Sequence, residues 1–117
     1  KNYADGYFDF IYVDARHDYK GVTEDMLAWY PKLKSGGIFA GHDYMTQDEV
    51  EWAQKRLGRG KPGVPPLSDW TKNYDGTVDE TKQVVRGAVD AFAEKIGVQV
   101  TVAYREWAWN SWALRKP

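Results

Sequence analysis

Two short segments of the sequence place acidic and imidazole side chains directly after runs of apolar residues. The run YFDFIYV is followed by Asp14, His17 and Asp18, and the run IFAG is followed by His42 and Asp43. Both histidines of the chain belong to this set. Imidazole exchanges protons near neutral pH, and convergent carboxylates bind hard cations. The pattern therefore indicates proton-transfer or divalent-cation chemistry, provided that the fold brings the two segments together.

The elements that must position these groups follow from hydrophobic periodicity. Residues 7–13 are aromatic and β-branched over a short length, which favours a strand buried on both faces of a parallel sheet. Residues 21–34 carry apolar side chains at helical spacing, and Pro31 within them is expected to kink or end the regular helix. KSGG (34–37) is then expected to stop it, and 38–44 predict a second strand. Because parallel strands end at the same edge of a sheet, we expect the ionisable groups after the two strands to converge.

The remaining sequence predicts further helices, an irregular segment and a hairpin. Residues 46–57 are typical of a polar helix, and the Gly- and Pro-rich residues 58–76 predict a loop or lid beside the site. An amphipathic helix is predicted over 82–96, and two antiparallel strands over 98–104 and 109–116. The order β-α-β-(α, loop)-α-β-β indicates an α/β fold with a largely parallel sheet and one antiparallel strand.

Composition excludes several classes of function. The chain has 117 residues, which suits one domain, and 16 basic against 17 acidic residues give a net charge of −1. That balance provides no electrostatic footprint for nucleic acid or an anionic membrane. There is no cysteine, so disulfides and thiolate chemistry are excluded. No apolar run is long enough to cross a bilayer, and we expect a cytoplasmic protein.

The residues around the two strand ends resemble a known enzyme family. The stretch FDFIYVDARHDYKGVTEDMLAWYPKLKSGGIFAGHDY resembles the second half of a class I S-adenosylmethionine-dependent methyltransferase. More narrowly, it is similar to small-molecule methyltransferases with a D-x-x-H-x-Y turn after the fourth strand and a GG-x-x-x-x-x-D fifth strand. VRGAVDAFAEKIGVQVTV and SWALRK resemble the last helix and last two strands of that family, so the resemblance covers nearly the whole chain.

This resemblance implies a partial Rossmann-like, doubly wound sheet. The family's strand order is 3-2-1-4-5-7-6, and the chain would supply strands 4-5-7-6, the last-numbered one antiparallel. Residues 1–117 would then be the C-terminal half of a methyltransferase domain. The glycine-rich first turn that holds the cofactor is missing, and GRGKPG (58–63) does not replace it because it neither follows a strand nor opens a helix. Activity is therefore expected of a full-length parent, while that of the isolated chain stays open.

The resemblance also implies roles for the residues after the strands. Asp14, Ala15 and Arg16 lie where the family's chain passes S-adenosylmethionine. In the metal-assisted O-methyltransferases, Asp14, His42 and Asp43 correspond to ligands of Mg²⁺ or another divalent ion, which would lower the pKa of a substrate hydroxyl. Imidazole suits softer ions than Mg²⁺, so a supporting or capping role for His42 is an equal alternative. For Arg16, an ion pair with a surface carboxylate is the favoured alternative.

Other side chains are candidates for the acceptor site of the same reaction. His17 is the expected general base for the acceptor hydroxyl of a small molecule or sugar. Tyr19, Tyr44 and Trp70 are expected to wall the acceptor pocket, although Trp70 could equally pin its loop to the core. Asp18 is expected to stay solvated or to cap the first helix.

Two other functions compete with methyl transfer. A metal-dependent phosphoesterase would use the same acidic and imidazole groups, and a non-catalytic oligomerisation module would use only the sheet. In the family's order the first predicted strand lacks one of its neighbours here. It is apolar, aromatic and free of lysine and proline, so we expect a homodimer through the edge of residues 7–13.

Overall fold

The chain folds as an α/β structure around a mixed sheet. The computed structural model describes residues 3–13, 16–104 and 110–117, with the side chains of 102–104 excepted. Within these residues there are four strands, β1 (Phe8–Val13), β2 (Leu33–Gly41), β3 (Thr101–Tyr104) and β4 (Ser111–Arg115). The helices are α1 (Tyr19–Trp29), α2 (Gln47–Arg56) and α3 (Val84–Ile96), and a single 3₁₀ turn covers Tyr30–Lys32. The predicted α/β class is confirmed.

The strands are ordered β1-β2-β4-β3 across the sheet. β1 and β2 are parallel, whereas β4 is antiparallel to both of its neighbours. Consequently β1, β2 and β3 run in one direction and β4 runs in the other. This arrangement is compatible with a partial Rossmann-like fold. Val13 is paired with Gly41, so β1 and β2 end at the same level and the segments that follow them start side by side.

The core lies on the face of the sheet that α1 and α3 cover. Phe39 in β2 is fully buried, and its ring contacts those of Tyr30, Phe92 and Trp112 at centroid distances of 5.4, 5.9 and 5.8 Å. Aromatic pairs with these separations and tilted planes add to the gain from burial. Trp112 is 1% exposed and belongs to this core, while Trp107 and Trp109 lie outside the described residues.

The regular part of the first helix ends just before Pro31, as predicted. Regular α-helix stops at Trp29, Pro31 lies in the 3₁₀ turn, and Leu33 already has extended backbone. The prediction that KSGG forms the helix stop is therefore wrong, because these residues lie inside β2. A Cβ at Gly37 would lie 2.8 Å from the carbonyl oxygen of Asp9, so glycine permits the close approach of the two strands there.

The other helices begin and end at recognisable signals. Thr46 and Glu49 form a reciprocal capping box at the start of α2. Gly97 closes α3 with a left-handed backbone at φ 76°. Residues 58–76 contain neither helix nor named strand, as predicted. In the described part of the chain, no helix is long and apolar enough to cross a bilayer.

Candidate functional site

The two strand ends meet through His17 and Asp43. His17 Nε2 lies 2.9 Å from one carboxylate oxygen of Asp43, and His42 Nδ1 lies 3.2 Å from the other. Asp43 is thus shared by two imidazoles that reach it from different segments. The predicted convergence is observed for these three residues, and Asp14 and Ala15 lie outside the described residues.

Backbone geometry at Asp43 is unusual. Asp43 lies two residues after the end of β2 and has φ 61°, in the left-handed region that non-glycine residues seldom adopt. Aspartate and asparagine tolerate this region better than other residues with a Cβ. A costly backbone conformation therefore coincides with the centre of the site.

His17 is held from a second direction by an aromatic ring. The imidazole stacks on the indole of Trp70 with a centroid distance of 4.5 Å and an interplanar angle of 11°. Trp70 is 9% exposed, whereas the His17 side chain is 48% exposed. The ring of His17 is therefore fixed on one face by Trp70 and at Nε2 by Asp43, while much of its surface faces solvent.

A cavity of about 380 Å³ lies at this site and is lined by His17, His42, Asp43, Ser68 and Trp70. Another cavity, of about 390 Å³, lies away from the site, beside β1. The walls of the cavity at the site therefore come from both strand ends and from the Gly- and Pro-rich segment. Among the predicted site residues, the structure brings together His17, His42, Asp43 and Trp70, and the predicted loop does border the site.

Two buried glutamines of α2 hold that loop in place. The Gln47 amide donates to the carbonyl of Ser68 at 2.9 Å and accepts from the backbone N–H of Trp70 at 2.9 Å. Gln54 donates to the Ser68 hydroxyl at 2.9 Å and accepts from the Ser68 N–H at 2.6 Å. The two side chains are only 3% and 4% exposed. They replace the backbone hydrogen bonds that an irregular segment lacks.

Beyond Trp70 the loop is organised by a repeated local motif. DWT, DGT and DET each form the same turn, in which the aspartate accepts from the N–H and the hydroxyl of the threonine two residues later. These hydrogen bonds lower the pKa of Asp69 below its ordinary value, with the Thr71 hydroxyl as the main cause. Side chains thus provide hydrogen bonds in a segment that has no helix or named strand.

Asp18 joins the loop to the start of α1. Its carboxylate caps the helix by accepting from the N–H of Gly21 at 3.0 Å, and it also accepts from the N–H of Tyr74 at 3.0 Å. Asn73 accepts from the N–H of Lys20 at 3.0 Å. Asp18 is 9% exposed, so it caps the helix as predicted and is not solvated.

Arg16 is engaged by carboxylates rather than by the cavity. Its guanidinium lies 2.8 Å from Asp25 and 3.5 Å from Glu24, and 5.1 Å from the centre of the Tyr74 ring. The hydrogen bond to Asp25 raises the pKa of the guanidinium above its ordinary value. The predicted ion pair is confirmed. Tyr74 closes the cluster with a hydrogen bond from its hydroxyl to Glu24.

The two tyrosines predicted for the acceptor pocket lie elsewhere. Tyr44 is 7% exposed, and its hydroxyl donates to Asp90 of α3 at 2.5 Å. Burial and this hydrogen bond raise the pKa of Tyr44 to about 12. Tyr19 is half-buried against the core, next to Gly87. Both rings thus contact α3, and neither lines the cavity with His17.

Divalent ions bind to groups of histidine and carboxylate side chains. Among the described residues, no group of three histidine or carboxylate side chains is arranged to hold a metal. Both carboxylate oxygens of Asp43 already contact imidazole nitrogens, one from His17 and one from His42. These nitrogens would have to turn away from Asp43 before they could bind an ion. The described residues therefore do not fit a metal, and a ligand set that includes Asp14 stays a prediction.

Proton chemistry fits the observed contacts. A carboxylate only accepts hydrogen bonds, so neutral His17 must carry its proton on Nε2 to bond Asp43. The lone pair then lies on Nδ1, which is the basic nitrogen. Asp43 also stabilises the imidazolium that forms when Nδ1 takes up a proton. This is the arrangement of a general base with an orienting carboxylate.

Sequence reasoning missed the glutamines and Ser68. Gln47, Val50 and Gln54 recur at intervals of three and four residues, which puts them on one face of α2. All three are buried. In a helix that otherwise looks polar, this stripe was the available indication that amide side chains contact another segment.

Comparison with known proteins gives one match. Residues 1–44 match a family model described as a methyltransferase domain. No curated protein and no solved structure matches the chain. The matched segment contains β1, α1, β2 and the three residues His17, His42 and Asp43. The match supports a methyltransferase domain in the part of the chain that builds the two strand ends.

Proposed function

We propose that this chain is part of an S-adenosylmethionine-dependent methyltransferase that methylates an oxygen of a small molecule or sugar. His17 is the general base, and Asp43 orients it. The acceptor binds in the cavity between the two strand ends and the loop that carries Trp70. The proposed cofactor contacts at Asp14, Ala15 and Arg16 rest on the family resemblance.

The observation that carries the proposal is the position of the His17–Asp43 pair. It lies at the carboxyl edge of two parallel strands, where open α/β sheets bind their ligands. It also lies wholly within the segment that matches a methyltransferase domain. The match gives the reaction class, and the pair supplies a group suited to remove a proton from an acceptor.

The residues that line the cavity have different roles in the reaction. His17 accepts the proton of the acceptor hydroxyl at Nδ1, and Asp43 stabilises the resulting imidazolium through Nε2. Trp70 keeps the imidazole plane fixed by stacking. The bound sulfonium cofactor supplies the electrophilic methyl group. A cavity of about 380 Å³ is within the range of small-molecule sites.

Binding and transfer can be measured separately on the full-length parent, which is expected to supply the glycine-rich turn for the cofactor. Calorimetric titration with S-adenosylhomocysteine tests the cofactor class, and transfer of a labelled methyl group to a panel of small hydroxyl compounds tests the reaction. We expect His17→Asn and Asp43→Asn to lower the transfer rate by roughly 10²–10⁴-fold, the usual worth of a general base. Asp48→Asn, an exposed acid on α2, is the matched control and should leave the rate unchanged.

A phosphoesterase would give the opposite result. Turnover of a chromogenic phosphoester that disappears in His17→Asn, together with no binding of S-adenosylhomocysteine, would overturn the assignment. Cofactor binding that survives in His17→Asn while transfer is lost would support the base role, because binding and proton removal are then separated.

A further inference from the structure

Ser68 connects the buried amide of Gln54 with the cavity that His17 and Asp43 line. Ser68 is half-buried and belongs to the cavity wall, whereas Gln54 is almost fully buried in α2. Two hydrogen bonds join the two residues, and they involve both ends of the amide. Together these bonds determine which kind of group the Ser68 hydroxyl can bind next.

The backbone fixes the direction of these hydrogen bonds. The N–H of Ser68 can only donate, so the Gln54 atom 2.6 Å from it is the amide oxygen. The amide nitrogen is then the atom 2.9 Å from the Ser68 hydroxyl, and it can only donate. The Ser68 oxygen is therefore the acceptor of this bond, and its own hydrogen points away from Gln54.

The hydroxyl hydrogen of Ser68 remains available to a ligand. Within the part of the chain that the structure describes, no group accepts a hydrogen bond from it. A hydroxyl that already accepts from an amide is polarised, which makes it a stronger donor. Because Ser68 lines the cavity, a molecule bound there can accept this hydrogen.

We propose that Ser68 is a specificity-determining residue that donates a hydrogen bond to a second oxygen of the acceptor, separate from the hydroxyl that is methylated. This inference rests on the proposed methyl transfer, because His17 takes the proton of the first hydroxyl. The reacting oxygen is the poorer partner for Ser68, since a donated hydrogen bond makes an oxygen less nucleophilic. The selected acceptors are therefore compounds with two oxygen groups, such as diols and sugars, rather than mono-alcohols.

The two sides of the cavity then bind different groups of the acceptor. His17 and Asp43 follow the two strands and receive the reacting hydroxyl, whereas Ser68 lies on the loop and holds the second oxygen. Binding at two points restricts rotation of the acceptor and keeps its hydroxyl at Nδ1 of His17. A polar site also selects against a molecule that leaves its donor unpaired. Gln54 acts on the acceptor only through Ser68 and is a positioning residue.

Matched acceptors test the role of Ser68 in the full-length parent. The probes are the vicinal diol of cyclohexane against cyclohexanol, and methyl glucoside against each of its monodeoxy analogues. We expect Ser68→Ala to lower kcat/KM for the acceptor with both oxygens by roughly 3–10-fold, the worth of one neutral hydrogen bond, and chiefly through KM. With the analogue that lacks the second oxygen, Ser68→Ala and the unmodified enzyme should have the same kcat/KM. Ser35→Ala, at an exposed serine of β2, is the matched control.

Gln54→Glu tests the direction of the hydrogen bond while the Ser68 hydroxyl is still present. A carboxylate accepts from both the N–H and the hydroxyl of Ser68, so the hydroxyl hydrogen turns away from the cavity. These two donated bonds also favour the ionised form of the new acid. We expect Gln54→Glu to show the same selective loss as Ser68→Ala, and full retention of the preference for the second oxygen overturns the proposal.

The outcomes separate the role of Ser68 from the reaction itself. Equal losses for both acceptors of a pair in Ser68→Ala show that the serine only supports the loop, and they overturn its role while methyl transfer stands. Absence of transfer from the unmodified parent to every probe contradicts the proposed function and this inference with it. If circular dichroism shows that Ser68→Ala has unfolded, Gln54→Glu decides.

Discussion

At the scale of single residues, Asp43 combines a strained backbone with the shared contact of two imidazoles. The left-handed conformation costs a residue with a Cβ roughly 1–2 kcal/mol of conformational free energy. The cost is smaller for aspartate and asparagine because their side chains form local hydrogen bonds. The backbone and the carboxylate can therefore be separated by mutation.

We expect Asp43→Ala to lower the free energy of unfolding by about 1–2 kcal/mol, and Asp43→Asn to lower it by less than about 1 kcal/mol, because asparagine tolerates φ 61°. Urea denaturation of both variants measures the difference. Asp43→Gly provides the control, since glycine has no penalty at positive φ. Equal losses for alanine and asparagine would show that the lost carboxylate contacts dominate.

Tyr44 makes stability depend on alkaline pH. Its pKa is raised from 10.0 to about 12, chiefly by burial and then by the hydrogen bond to Asp90. The phenol is neutral in both states below pH 10, so its contribution is complete there. Between pH 10 and 12 the unfolded chain releases its proton more readily, and the contribution is lost as the pH rises.

We expect Tyr44→Phe to weaken the loss of stability between pH 10 and 12 and to cost about 1 kcal/mol at neutral pH through the lost hydrogen bond. Denaturation midpoints measured at several alkaline pH values test this. Some pH dependence should remain, because burial also raises the pKa of Tyr30. An unchanged slope in Tyr44→Phe would rule out the assignment to Tyr44.

At the scale of elements, α2 acts as a support for the loop that completes the cavity. Its two buried glutamines bond Ser68 and Trp70, and Trp70 in turn stacks on His17. α2 therefore acts on the site through the loop, although none of its residues lines the cavity.

We expect Gln47→Ala to destabilise the chain by about 2–3 kcal/mol, because it removes the hydrogen bonds to the Ser68 carbonyl and to the buried Trp70 N–H. Hydrogen exchange of the Trp70 amide should accelerate more than exchange in α3. Gln99→Ala removes an exposed glutamine and is the matched control. Slow exchange at Trp70 in Gln47→Ala would show that other contacts hold the loop.

At the scale of the whole molecule, the chain is extended for its length. Its radius of gyration is 15.2 Å, compared with about 13 Å for a compact domain of 117 residues. Several large apolar side chains are exposed among the described residues, including Phe10 and Leu57.

The sequence by itself determined the elements and the chemistry of the strand ends. Periodicity located β1, α1, α2 and α3 to within a few residues, and the acidic and imidazole groups after two apolar runs indicated the site, because these signals are local. The predicted role of KSGG as the helix stop was wrong, since these residues extend β2, where Gly36 and Gly37 exchange backbone hydrogen bonds with Lys116. Only the tertiary structure placed Trp70 on His17 and turned Tyr44 toward Asp90. Those contacts depend on side-chain packing between segments far apart in the chain, which no local pattern encodes.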